Sequence, residues 1–382
     1  MKLESEGALA HRLSGVVEEL LARREIRHAV VAIESGDQSF RWSAAVGEAD
    51  PTGRPMTVDT PFFLASITKL YIATLVLKLR ERAYLNLDFP IFQYLPRALT
   101  VGLHHMVGVD RTRQITVRHL LGHTSGLPDW LEDYPKQGPS FIERLFEGED
   151  RTVDIRVVTE VVRKELTPHF TPQILYSERV KARYSDTNYQ LLIAIVEGVR
   201  RKPIAELYEE LFFRPLGLRN SWHPSRAPLA PSPPPSTLWV GDEPLDRPLL
   251  LASVGDLYGT ATDSIAFLRA LLSGVLFEDE ATLALMTARW NRFGFPTDRA
   301  ALRSPGWPIE YGLGIMRFRL PRLLTPLRAV PEVIGHTGST GSWLFHAPKL
   351  DLYLAGTVDQ ATAGALPYRL VPKLLRILEE GL

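Results

Sequence analysis

The chain reads as a mixed α+β protein. One antiparallel sheet, built from an N-terminal hairpin and a group of C-terminal strands, is flanked by the terminal helices and interrupted by a large, mostly helical insertion. Three observations predict this. Short β-branched apolar runs lie near both ends of the chain. Between them the strong apolar patterns recur at helical spacing. The first and last periodic segments are amphipathic, as suits helices covering one face of a sheet. The implied division is 1–60 with 300–382 as the sheet domain, and 61–299 as the helical domain.

Taken in order, Leu9–Arg24 places Leu13, Val16, Val17, Leu20 and Leu21 on one helical face. His28–Ile33 is a strand, Glu34–Gln38 a turn and Phe40–Val46 a second strand, so a hairpin is expected. Pro51–Pro61 is a loop leading to Leu64–Leu79, a helical run that is apolar almost all round. Helical patterns follow at Val117–Leu121, Val153–Leu166, Asn188–Val199 and Ile204–Phe213. His223–Ser236 is proline-rich and aperiodic. It reads as a surface loop, because a helical pattern resumes at Ser264–Leu272. Strands are expected at Tyr311–Phe318, Val333–His336, Ser342–His346 and Asp351–Val358, then a closing helix at Leu366–Leu378. The helix that begins at Leu64 falls at the junction of the two domains, a favoured place for a ligand cleft.

At 382 residues and 45% apolar content the chain buries a core easily. Basic and acidic residues balance at 44 each, which leaves no electrostatic footprint for nucleic acid. The absence of cysteine excludes disulfides and thiolate metal sites. No uncharged apolar run reaches the roughly 18 residues of a membrane span. Met1–Glu6 begins no long apolar core, so no signal peptide and a cytoplasmic location are expected. A trimmed secreted or periplasmic chain would read the same.

Two polar residues interrupt the first turn of Leu64–Leu79. Ser66 and Lys69 are three apart and so share a helical face. A hydroxyl at a helix start with an amine one turn on is a nucleophile-and-base arrangement. The free N–H groups and positive field of the helix end favour a developing oxyanion. Burial lowers a lysine pKa, so Lys69 is expected to reach the neutral form that takes the Ser66 proton. The pattern is short, and a capping serine beside a snorkelling lysine gives the same letters.

Three further stretches carry candidate chemistry. Arg183–Tyr189 precedes an apolar helix that Ser185 or Asp186 is expected to cap. Tyr184 there is either a base beside a lysine or a half-buried packing residue. Gly335–Ser339 ends a strand. His336 positions a carboxylate or assists proton transfer, and the Ser339 N–H pairs with that of Ser66 as an oxyanion donor; the alternative is an ordinary hairpin end. Leu120–Asp129 contains His123, four residues after His119. That spacing suits a metal, but no acidic residue completes the motif, and His104-His105 has the same weakness.

Ser66-x-x-Lys69, Tyr184-Ser185-Asp186 and His336-Thr337-Gly338, in that order, resemble the serine β-lactamase and penicillin-binding protein superfamily. Within it the chain is most similar to class C β-lactamase-related hydrolases, which include family VIII carboxylesterases, DD-carboxypeptidases and D-aminopeptidases. Leu120–Asp129, Pro215–Leu218, Gly259–Asp263 and Tyr311–Gly314 also resemble such proteins, so the likeness runs from about residue 28 to 358. It implies that Ser66 is acylated, that Lys69 activates it and that Tyr184 acts as general base and proton relay. Which of Lys69 and Tyr184 takes the serine proton stays open. His336 takes the place of a lysine, and Asp186, Thr337, Gly338 and Ser339 line the substrate.

Two departures from that pattern matter. Class C β-lactamases carry Tyr-x-Asn and Lys-Thr-Gly, where this chain has Asp186 and His336. An ionised aspartate cannot donate to a substrate carbonyl and favours a charged Lys69. A neutral histidine attracts a lactam carboxylate less than lysine does. The expectation is therefore a serine hydrolase of small esters, needing no cofactor or metal. The alternatives are a D-amino-acid peptidase or amidase, a weak β-lactamase or an acyltransferase of the same superfamily, or a non-catalytic acyl-binding or sensor protein. Pocket walls are expected from residues 129–180 and 221–250, and the oligomeric state is not legible.

Overall fold

The structure is a computed structural model that describes residues 6–321 and 329–381. Its main sheet is built from β1 (His28–Ser35), β2 (Arg41–Gly47), β3 (Asn291–Arg292), β4 (Ile309–Tyr311), β5 (Met316–Phe318), β6 (Val333–Thr337), β7 (Trp343–Ala347) and β8 (Leu352–Thr357). The strand order is β2-β1-β8-β7-β6-β5-β4-β3, antiparallel throughout. The hairpin pairs His28 with Gly47 and Glu34 with Arg41. Its inner strand then joins the C-terminal end of the chain, Val30 opposite Thr357 and Ser35 opposite Leu352.

The period of two along β1 divides two cores. Ala29, Val31 and Ile33 face a core shared with the terminal helices α1 (Glu6–Glu18) and α6 (Pro367–Gly381), where Leu13, Val17, Leu370 and Leu374 are buried. Val30 and Ala32 face a second core shared with α2 (Thr68–Glu81) and α5 (Ala261–Leu272). Helix α2 runs through that core with every residue from Thr68 to Leu77 buried. Tyr71 stacks on Phe267 with ring centroids 3.5 Å apart, which locks α2 to α5. Among the described residues no helix is long and apolar enough to cross a membrane.

Several elements differ from expectation. The run Tyr311–Phe318 is not one strand but the tight hairpin β4–β5, closed by Gly312 N–H to Ile315 O at 2.8 Å. Gly314, at φ +82, makes that turn and presses it onto α2, where a Cβ would lie 2.0 Å from Ala73 Cβ. Nearly all of these residues are buried, so periodicity did not mark the turn. The two-residue β3 extends the sheet into the stretch assigned to the helical domain. The helix expected at Val153–Leu166 spans Ile155–Lys164, because Asp154 caps it by accepting from Arg156 and Val157 N–H at 2.8 and 3.0 Å. The pattern Ile204–Phe213 is an α-turn to Tyr208 followed by a π turn.

Candidate active site

The nucleophile turn is held by two other segments, at Leu257 and at Ser342. Ser66 lies in a 3-10 turn, Ala65–Ile67, directly before α2 rather than inside it. Ala65 has φ +47, a left-handed value that a residue with a Cβ adopts only under tertiary constraint. That constraint is visible. Leu64 N–H donates to Leu257 O at 2.8 Å, Leu257 N–H to Thr68 Oγ1 at 3.1 Å, and Ser342 Oγ to Leu64 O at 3.0 Å. The last bond brings the β6–β7 connection, at the residue just before β7, against the turn. Gly338 is required there, because a Cβ would lie 2.9 Å from Leu64 O and 3.0 Å from Ala65 Cβ.

Lys69 is buried and donates to Ser66 Oγ at 2.9 Å, while the same ammonium pairs with the Asp186 carboxylate. Its Nζ also lies 5.1 Å from the Tyr184 ring centroid and 5.4 Å from that of Tyr189. Burial alone would depress the Lys69 pKa. The Asp186 carboxylate, with Tyr184 and Asp256, more than offsets it and holds the ammonium well above the usual lysine range. The expectation of a neutral Lys69 is thereby corrected: in the resting site it is a charged donor. Tyr184 is also buried, and burial pushes its phenol well up despite the nearby Lys69 ammonium. Its Oη has no hydrogen bond of good geometry at rest, although Lys69 and Ser66 are near enough to act on its ionisation.

Asp186 is not a helix cap. It is the first residue of α4 (Asp186–Arg200), its side chain turns to Lys69, and its N–H donates to Asp129 Oδ2 at 3.1 Å. Ser185 occupies the N-cap position, yet its hydroxyl donates to Pro128 O at 3.0 Å instead. Behind Asp186 lie further buried carboxyls. Burial and the neighbouring acids push Asp129 well up, and burial pushes Glu132 up to about 7 even with Arg303 at 2.6 Å.

His336 is completely buried rather than presented to the cleft. Its Nδ1 lies 2.7 Å from Thr337 O, which only accepts, so Nδ1 carries the proton and Nε2 accepts from Tyr311 Oη–H at 3.0 Å. Burial and the Lys69 charge push its pKa down to about 3, so the ring is neutral. Tyr189 Oη lies 3.2 Å from both Tyr311 Oη and Leu121 O, and its single proton serves one of these two acceptors. The Thr337 hydroxyl pairs with Tyr368 Oη of α6 at 2.8 Å and is not free. Ser339 is exposed at the turn after β6. The structure thus brings together Ser66, Lys69, Tyr184, Asp186 and the backbone of Gly338, with His336 behind them.

Sequence reasoning missed Asp129, Asp256, Tyr189 and Tyr311, and weighed His123 only as a metal ligand. His119 and His123 do not converge. His119 Nε2 donates to Gln173 O, 2.5 Å away, whereas His123 packs against Tyr184 and Tyr311 with ring centroids 4.5 Å away in each case. Among the described residues no group of acidic or histidine side chains is placed to hold a metal ion. The signal for Asp129, His123 and Tyr311 lay in the Leu120–Asp129 and Tyr311–Gly314 stretches and that for Tyr189 in Arg183–Tyr189, whose contacts with one another are made only on folding, whereas no motif marked Asp256.

Comparisons with known proteins bear on the family of the chain. The family model described as Beta-lactamase matches residues 13–367. Esterase EstB of Burkholderia gladioli is 31% identical over 332 residues, covering 80% of this chain and 79% of its own. The D-alanyl-D-alanine-carboxypeptidase/endopeptidase AmpH of Escherichia coli is 24% identical, covering 83% of this chain and 74% of its own. Among solved structures, a D-stereospecific amidohydrolase from Streptomyces sp. superposes with a TM-score of 0.72 at 26% identity, over 95% of this chain and 97% of its own. A match across this length, together with a 31% identical relative, means that the chain belongs to the β-lactamase family of serine hydrolases.

Proposed function

We propose that this hydrolase cleaves small carboxylic esters through an acyl-enzyme on Ser66. The observation that carries the reading is the state of its two candidate cations. Lys69 is shared between Ser66 Oγ and Asp186, and His336 is buried and neutral. Neither offers a free charge to the carboxylate of a β-lactam. A simple ester brings no such group. The similarity to a protein named as an esterase supports the same choice.

In this reading the Tyr184 phenolate, its charge held by the Lys69 ammonium, takes the Ser66 proton as Oγ bonds to the ester carbonyl carbon. The N–H groups of Ser66 and Ser339 receive the oxyanion. Collapse breaks the bond to the alcohol oxygen, which takes the proton from Tyr184. Water then repeats the sequence and frees the acid.

A second reading, a D-amino-acid amide substrate, has one feature in its favour. Among the described residues no side-chain hydrogen bond holds Asp256, whose carboxyl lies close enough to Lys69 to influence it and suits a substrate ammonium. The amidohydrolase name of the Streptomyces structure points the same way.

A panel of p-nitrophenyl acetate, butyrate and octanoate, nitrocefin and D-alanine p-nitroanilide, run with Ser66→Ala alongside, tests both. Short esters are expected to exceed nitrocefin in kcat/KM by roughly 10²–10⁴-fold, the cost of about two unpaired polar groups. Ser66→Ala is expected to lose about 10³-fold or more, together with fluorophosphonate labelling. Nitrocefin turnover at or above that of the esters overturns the proposal, and turnover of the anilide above the esters selects the second reading.

A further inference from the structure

His123 occupies a place more specific than core filling requires. It follows helix α3 (Val117–Leu121), is fully buried, and has φ +55, unusual for a residue with a side chain. In that conformation its backbone and its ring serve one short segment. Its carbonyl accepts from Arg183 N–H at 3.0 Å. Its Nδ1 accepts from Ser185 N–H at 3.2 Å. Between them, its ring lies against that of Tyr184, centroids 4.5 Å apart with 31° between the planes. One residue thus holds three successive residues centred on Tyr184.

The tautomer is fixed as well. The Asn188 amide, itself bonded to Ser125 Oγ at 2.7 Å, sits 3.1 Å from the same Nδ1, so the ring proton is on Nε2. That N–H is buried without a partner, a cost that core packing alone gives no reason to bear. Burial, with the Lys69 charge next, holds the His123 pKa well below the ordinary histidine range. The ring is therefore neutral beside Lys69 and does not compete for the protons of the site.

We propose that His123 is a positioning residue for Tyr184: through its carbonyl, its Nδ1 and its ring face it fixes where the phenol stands relative to Ser66 and Lys69. The proposal rests on the reading of Tyr184 as the group that moves the Ser66 proton. Histidine suits the task because it combines a flat face with an acceptor nitrogen in the ring edge. Asparagine at this position would keep an acceptor and tolerate φ above zero but offer no face.

The test is a double-mutant cycle on p-nitrophenyl acetate, with kcat normalised to sites titrated by fluorophosphonate. His123→Ala is expected to lower kcat by about 10²-fold with KM within about threefold. His123→Asn is expected to restore about tenfold of that. In a Tyr184→Phe background His123→Ala is expected to cost less than about threefold. Loss of the ring also admits water to Tyr184, so the acid limb of the kcat–pH profile is expected to move to lower pH. Equal losses in both backgrounds, or a fall in kcat with an unmoved profile and no recovery in His123→Asn, overturn the proposal. Should His123→Ala not fold, His123→Asn carries the comparison, with a deficit expected beside Tyr184 and none beside Phe. An inactive Tyr184→Phe with near-wild-type His123→Ala overturns this inference alone, whereas a fully active Tyr184→Phe overturns the reading of Tyr184 and this inference with it.

Discussion

Asp186 holds Lys69 as an ammonium from the first turn of a helix 117 residues further along the chain, while Lys69 donates to Ser66 Oγ. The nucleophile is thus supported at rest by a donor and not by a base. Any base must come from ionising the Lys69–Tyr184 pair, and both pKa values are raised, in each case with Asp186 among the causes.

The first prediction is a pH dependence. A group that must lose a proton to act, and whose pKa is raised, is mostly in the wrong form at neutrality. Ester turnover in the wild type is therefore expected to climb from about pH 7 to about pH 9. In Asp186→Asn the carboxylate that raises both groups is gone, so the acid limb of kcat/KM is expected to move to lower pH. A rate profile centred at neutrality, or one that Asp186→Asn leaves in place, would assign the limb to another group.

Replacing His336 by lysine is expected to destabilise the fold rather than to create a carboxylate-binding cation. The position is fully buried between Tyr311 Oη and Thr337 O, so an ammonium there has no counter-charge and adds to the Lys69 charge. A loss on the order of 3 kcal/mol is expected in urea unfolding. A variant as stable as the wild type, with raised nitrocefin turnover, would contradict the burial argument.

Gly338→Ala tests the contact between β6 and the nucleophile turn. The added Cβ would meet Ser342 Oγ at 2.1 Å and Leu64 O at 2.9 Å, the two atoms that join strand to turn. A displacement of the turn by a few tenths of an ångström is expected to lower kcat by roughly 10–10²-fold. Ester turnover within a factor of about two of the wild type would mean that the turn is not positioned by this contact.

Glu132 provides a stability test. Its pKa is raised to about 7, chiefly by burial, from an ordinary value of 4.5. Between those values the folded state keeps a proton that the unfolded state releases, so this contribution is present below about pH 4.5 and is lost as pH rises through about 7. Glu132→Gln mimics the protonated form. Its stability relative to the wild type is expected to grow between about pH 5 and about pH 8, by up to about 3 kcal/mol. A difference that is flat across this range would show that the Arg303 pair compensates the burial fully.

By itself the sequence determined the layered plan and the centre of the site. The β-branched apolar run His28–Ile33 and the nearly all-apolar Leu64–Leu79 each read as a buried element, so the hairpin, the buried helix and the Ser66–Lys69 pair follow from local sequence. Tertiary structure decided what spacing does not encode. The charge of Lys69 depends on how an approaching Asp186 balances burial, two opposing effects whose outcome only three-dimensional distance settles. The fate of His336 depends on Tyr311, which packing brings to its Nε2 and so makes a candidate cation a neutral buried ring. The clasp of His123 on Tyr184 joins residues some sixty positions apart through a carbonyl, a ring nitrogen and a ring face, and those contacts exist only once the segment after α3 packs against the segment before α4.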